Sequence, residues 1–231
     1  MTNKVFLTGY GIINKVGNTL ESVKNNSGLL GEISEFKLEN FISSQKSYLD
    51  RSGELTLAAA QLALNMAKYQ PTDEVNWDFG VITGSIYGST QTLERYTKAV
   101  NAKGARGANS ILFTHLYMNS PVSILAIDFH LGGHHLCFGG KNAAITAISS
   151  AYDGIIMDRA KDVLVVCYDI VPKNYNLHED VLEGATALTF SQNGKNSLAE
   201  VTIESIAELE SKKDNANASF SMANDFLSSL L

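Results

Sequence analysis

A short strand, a glycine turn and an alanine-rich helix follow one another at His134-His-Leu-Cys-Phe-Gly-Gly-Lys-Asn-Ala-Ala. Such a unit can carry catalysis, because the turn presents one side chain at the N-terminus of the helix. Free N–H groups and the helix dipole favour a thiolate or an oxyanion at that point. The residue presented here is Lys141 or Asn142, and neither is a ready nucleophile. Asparagine offers no nucleophilic atom, and a lysine becomes one only where desolvation lowers its pKa. No feature around Lys141 speaks for that. Cys137 lies four residues earlier, on the strand, and shares a sheet face with His135 and Gly139. It reads as a buried structural cysteine. His134, His135 and Cys137 fail as metal ligands, because adjacent strand histidines point to opposite faces and no Cys-x-x-Cys or His-Glu-x-x-His accompanies them. Gly84-Ser-Ile-Tyr-Gly-Ser follows a strand but lacks the endings of a phosphate or dinucleotide loop. Neither a metal nor a cofactor is expected.

Buried strands must position this turn. Val5 to Ile13, with two glycines, reads as a strand with a tight backbone passage, and Phe79 to Ser85 as a second. Asp162-Val-Leu-Val-Val-Cys-Tyr-Asp169 is the most apolar strand. Thr186 to Ser191 and Leu198 to Ile206 supply two further candidates, with Asn193-Gly194 as a hairpin turn between them. Thr19 caps a short helix, and Asp50 caps a longer one whose apolar face is rich in alanine. Between them, residues 27–48 have weak periodicity and read as an excursion. Pro121 is tolerable only in the first turn of a helix. Residues 142–157 form the helix after the turn. From Ser211 the sequence is polar until Phe226, Leu227, Leu230 and Leu231, so residues 1–210 read as one domain and 211–231 as a loosely held polar tail with a small docking end. The alternation of strands and helices predicts a layered α/β fold.

Composition narrows the function classes. Over 231 residues, 45% are hydrophobic and 18% charged, which is the profile of a folded domain. The formal net charge of −6 and absence of a basic stripe argue against nucleic-acid binding. Two cysteines, both in apolar runs, suggest a reducing compartment. No apolar run reaches the ~20 residues that span a bilayer, and the start lacks the pattern of a secretory signal. The expected location is the cytoplasm, with no membrane partner.

Read in order, these pieces resemble the N-terminal half of a β-ketoacyl synthase of the thiolase superfamily over about residues 4–205. Val5-Phe-Leu-Thr-Gly-Tyr-Gly is similar to that family's first strand with its Thr-Gly-x-Gly ending. Asp50-Arg51 before the alanine-rich helix resembles an Asp-Arg-x-x-x-x-x-Ala-x-x-Ala segment, and Gly80-Val-Ile-Thr-Gly-Ser a Gly-Val-x-x-Gly-Ser/Thr strand and turn. Asn119 to Gly133 resembles the segment leading into the subunit-interface strand, residues 143–155 the nucleophile helix, and Glu183-Gly-Ala a later Gly-Glu-Gly-Ala landmark.

The resemblance implies a thiolase-like half-fold, with layered helices around a mixed five-stranded sheet. It also exposes two departures. Ketosynthases carry Thr-Ala-Cys at the turn. Aligning from the downstream helix puts Lys141 in the place of that cysteine, and aligning from Gly133 puts Asn142 there. The second half, which holds the family's catalytic histidines, has no counterpart in this sequence, so an apolar helix layer needs another cover. The implied protein is a catalytically inactive chain-length-factor-like subunit, similar to partner subunits of aryl polyene biosynthesis. It would form a heterodimer with an active β-ketoacyl synthase and shape its acyl tunnel. By the same resemblance His134, His135, Leu136, Cys137 and Phe138 form the interface strand, while Leu116, Tyr117 and Phe129 border the tunnel. Acyl carrier protein, itself usually acidic, would dock mainly on the partner. The alternatives are an independent acyl-transferring enzyme using Lys141 or Cys137, and a purely structural partner.

Overall fold

The structure, a computed structural model, describes residues 3–25, 31–43, 46, 48–171, 182–213 and 218–231. Its strands are β1 (Val5–Asn14), β2 (Phe79–Ser85), β3 (His135–Gly139), β4 (Asp162–Val171), β5 (Leu182–Ser191) and β6 (Ala199–Val201). They form one mixed sheet in the order β3-β2-β4-β5-β1-β6. β2 runs parallel to β3 and β4, and the remaining pairs are antiparallel. This is one strand more than the five expected, because β6 adds a three-residue edge to β1.

The helices are α1 (Leu20–Asn25), α2 (Arg51–Met66), α3 (Thr90–Lys103), α4 (Ser110–Thr114), α5 (Ser120–Asp128), α6 (Ala143–Ile156), α7 (Ile203–Ser211) and α8 (Ser219–Leu230). Thr19 caps α1 by accepting from Ser22 N at 3.1 Å, Asp50 caps α2 by accepting from Gly53 N at 2.9 Å, and Pro121 sits in the first turn of α5. α2 and α5 cover one face of the sheet, packing Leu55, Ala59 and Leu125 into the core that holds Leu164 and Val166. α6, α7 and α8 cover the other, with Ile148, Leu209 and Phe226 in the core of Val165 and Leu188.

Two expectations fail near the C-terminus. The strand over Leu198 to Ile206 is only three residues long, because Thr202 ends it and starts α7 with a capping box shared with Ser205. Asn193-Gly194 is therefore no hairpin turn: β5 and β6 lie on opposite sides of β1. The supposed loose tail contains α8, which buries Phe220, Met222, Phe226 and Leu227 in the same core as the rest of the sheet. α7 and α8 pack against α6. Among the described residues no helix is long and apolar enough to cross a membrane.

Two landmarks far apart in sequence meet as an ion pair. Arg51 at the start of α2 lies 3.0 Å from the buried carboxylate of Glu183 in β5, which also accepts from Ile33 N at 3.1 Å. The Arg51 guanidinium stacks 4.9 Å above the Phe36 ring. Arg51→Ala leaves Glu183 buried without its charge partner and is expected to destabilise the fold by about 3 kcal/mol or more, read as a lower urea midpoint. Phe226→Ala empties a fully buried site between α8 and the sheet, and is expected to cost about 3–5 kcal/mol in the same measurement.

Candidate functional site

The glycine turn lies at the carboxyl ends of the parallel strands β2, β3 and β4, where open α/β sheets commonly place their sites. Gly140 adopts φ +100°, a conformation that favours glycine. Its N–H donates to Ser85 O at 3.1 Å, and its carbonyl accepts from Ala143 N at 2.9 Å, which starts α6. Gly84 lets that first helical turn come close: a Cβ there would stand 2.8 Å from Ala143 O. Asn142 occupies the N-cap position and its carbonyl accepts from Thr146 N at 2.9 Å, while Lys141 is exposed in the turn.

Beneath the turn lies a carboxylate that sequence reasoning missed. Asp169, at the end of β4, has no solvent exposure, and burial pushes its carboxyl up from the usual range. Its Oδ1 accepts from Ser85 Oγ at 2.7 Å, Ile86 N at 2.8 Å and Tyr87 N at 3.0 Å, and its Oδ2 from Ser219 N. These donors link the end of β2, the loop before α3 and the start of α8 to one side chain. Ser85 Oγ in turn accepts from Gly88 N at 2.7 Å. With four donors, Asp169 is a structural clamp on the end of β2, where Ser85 O in turn accepts from Gly140 N of the glycine turn. An acid closing an otherwise apolar strand was the available signal.

Burial raises the pKa of both thiols. Cys137 is half-buried, donates its thiol to Met118 O at 3.1 Å, and has its pKa raised by burial, which disfavours the thiolate. It lies on β3, before the turn, with its side chain against the α2 side of the core. The second cysteine, Cys167, is fully buried with its thiol pushed further up. His134 and His135 point to opposite faces. His134 is half-buried against Gly80 and Gly154, with its imidazole pKa lowered chiefly by burial. His135 donates from Nε2 to Leu131 O at 3.0 Å. Among the described residues no three His, Cys, Asp or Glu side chains group as metal ligands.

A second buried polar cluster, also missed, joins Asp50, Thr92 and His115. Thr92 Oγ1 donates to Asp50 Oδ2 at 2.6 Å, and His115 donates from Nε2 to Tyr48 O at 2.7 Å while its Nδ1 faces Ser120 Oγ at 3.1 Å. His115 and Asp50 are both at least 95% buried. The group ties α2, α3 and the start of α5 together.

The three expected tunnel residues separate. Tyr117 is 56% exposed and meets Phe113 edge-on at 5.9 Å between ring centroids, and Phe113 contacts Tyr96 at 6.0 Å. Leu116 is half-buried, and its carbonyl accepts from Ser89 Oγ. Phe129 is a correction: at 4% exposure it belongs to the core beneath α2 and α5 and offers no surface to a partner. The strand expected at an interface, residues 134–138, lies along the outer edge of the sheet, with His135 and Leu136 exposed.

Comparison with known proteins agrees with this geometry. The profile of the β-ketoacyl synthase N-terminal domain matches residues 12–178. The chain is 25% identical over 174 residues to the 3-oxoacyl-[acyl-carrier-protein] synthase 2 of Synechocystis sp., a match covering 66% of this chain and 40% of that protein. Among solved structures, the ishigamide ketosynthase/chain length factor superposes with a TM-score of 0.73 at 16% identity, covering 87% of this chain and 62% of that one. A type II polyketide ketosynthase in complex with its acyl-carrier protein gives 0.72 at 19% identity, covering 87% and 68%. A ketosynthase in complex with its chain length factor from Xenorhabdus doucetiae gives 0.60 at 14%, covering 82% and 79%. At such identities the structural matches speak to a shared thiolase-like fold. With a family profile spanning well over half of its length, the chain belongs to the β-ketoacyl synthase family, through that family's N-terminal domain.

Proposed function

We propose that this chain is a catalytically silent, cytoplasmic, chain-length-factor-like subunit. It pairs with an active β-ketoacyl synthase and shapes the space for a growing polyketide or fatty-acyl chain, as in polyene biosynthesis. The observation that carries this reading is the turn itself. It keeps its glycine conformation, its clamp and its helix, yet presents Lys141 and Asn142 where the family has a cysteine. The nearest thiol, Cys137, donates to Met118 O, and burial raises its pKa, which disfavours the thiolate that would replace that cysteine.

The strand leading to the turn explains why the architecture is retained. Among the described residues β3 pairs with β2 on one side only, so its outer edge offers main-chain donors and acceptors to another strand. An active ketosynthase is the partner proposed for that edge, and the reactive cysteine then lies in the partner. Tyr117 and Leu116 are the side chains proposed to border its tunnel.

Carrier docking is assigned mainly to the partner, with one qualification. Arg95, Lys103 and Arg106 line a groove of about 560 Å³ between α3 and α4, and form no ion pair among the described residues. In a chain of net charge −6 this local basic surface is suited to a secondary contact with an acidic carrier protein.

Co-expression of the chain with its ketosynthase tests the reading. Tyr117→Ala is expected to leave the complex intact and lengthen the products by one or more two-carbon units, seen by mass spectrometry of the released acyl chains. Unchanged product length from an intact complex would remove the tunnel role and leave a purely stabilising subunit.

A further inference from the structure

Trp77 is the single tryptophan of the chain and is 76% exposed. Its position is rigidly built. Asn76 N donates to His130 O at 2.8 Å, Gly132 N donates to Asn76 O at 2.8 Å, and Asn76 Oδ1 accepts from Asp78 N at 3.1 Å. The indole and the exposed Val75 both rest on Gly132: a Cβ there would stand 2.9 Å from the Trp77 ring and 2.3 Å from Val75 Cγ1. A large aromatic side chain is therefore pinned in water, where it gains nothing for the isolated fold.

Its neighbourhood says what it waits for. Gly132 is followed by Gly133 and His134, which lead directly into β3. Val81 N donates to His134 O and Gly140 N to Ser85 O, so the even-numbered residues of this segment face β2. By the two-residue period, the N–H and C=O groups of His135, Cys137 and Gly139 face away from the sheet. An extended strand can pair with such a row directly. A five-residue strand alone, however, falls well short of the roughly 800 Å² per partner of a stable interface. Trp77 and Val75 stand at the N-terminal end of that edge. At its other end Gly139 packs on Met118, next to the exposed Tyr117.

We propose that Trp77, supported by Val75 on the Gly132 seat, is the anchor of the interface through which a ketosynthase subunit adds a strand to β3. This rests on the pairing proposed above and names the side chain that carries its affinity. Buried aromatic anchors next to main-chain pairing supply most of the binding energy in such interfaces. The lone tryptophan also makes the site directly observable.

The test uses the full chain carrying 5-fluorotryptophan, titrated with the ketosynthase subunit that co-purifies with it. The expected result is a shifted ¹⁹F resonance that loses its solvent isotope effect on binding. Trp77→Ala should weaken the complex by about 30-fold or more, Trp77→Phe by less, with the melting temperature of the isolated chain unchanged. A complex that forms with the resonance unmoved, or that Trp77→Ala leaves equally tight, overturns the anchor while leaving the pairing intact. A resonance that shifts with the chain's own concentration in the absence of ketosynthase assigns the surface to a second copy and overturns it too. Failure of any ketosynthase to bind the unsubstituted chain sinks the pairing, and the anchor with it.

Discussion

The carbonyl oxygen of Ala59 lies 2.0 Å from where a Cβ of Gly11 would stand, and that contact sets how closely α2 lies on the sheet. Here helix and strand meet backbone to backbone. Gly84 allows the same approach by the first turn of α6 on the opposite face. Any side chain at either position would lift a helix off strands whose other residues are already close-packed. The close seating of α2 on one face and of the start of α6 on the other follows from these approaches.

Around that frame the polar groups of the interior serve geometry. Asp169 gathers donors from β2, the loop after it and α8, so one carboxylate couples the C-terminal helix to the end of β2, where Ser85 O accepts from Gly140 N. Arg51 and Glu183 fasten α2 to β5. A site that had kept its shape for chemistry would leave a reactive group poised in it. Here the shape is fully supported, while the turn carries Lys141 and Asn142 and the thiol sits back on the strand. Under the function proposed above, the strand and turn are retained for assembly.

Much of this was legible in the residues. Glycines placed in apolar strands marked β1 and β2, an unbroken apolar run marked β4, and Asp50 before an alanine-rich face marked α2, because each signal has a local physical cause. The C-terminal region was misread where local signals conflict. Val201, Ile203 and Ile206 suggest a strand, but the Thr202–Ser205 capping box and the spacing of Ile206 and Leu209 make a helix. In α8, Ser221 and Asn224 among Phe220, Ala223 and Phe226 hid a helical period that packing makes decisive. Burial of Phe129 and exposure of Trp77 depend on which elements lie beside them in space, and no local pattern encodes that.

The central claim is that the acyl chain is held by another subunit. Intact-mass measurement of the co-purified complex after loading with an acyl-carrier thioester tests this directly. The account predicts the acyl mass on the ketosynthase alone, with this chain unmodified. An acyl adduct on this chain, mapped to Lys141 or Cys137, would contradict it.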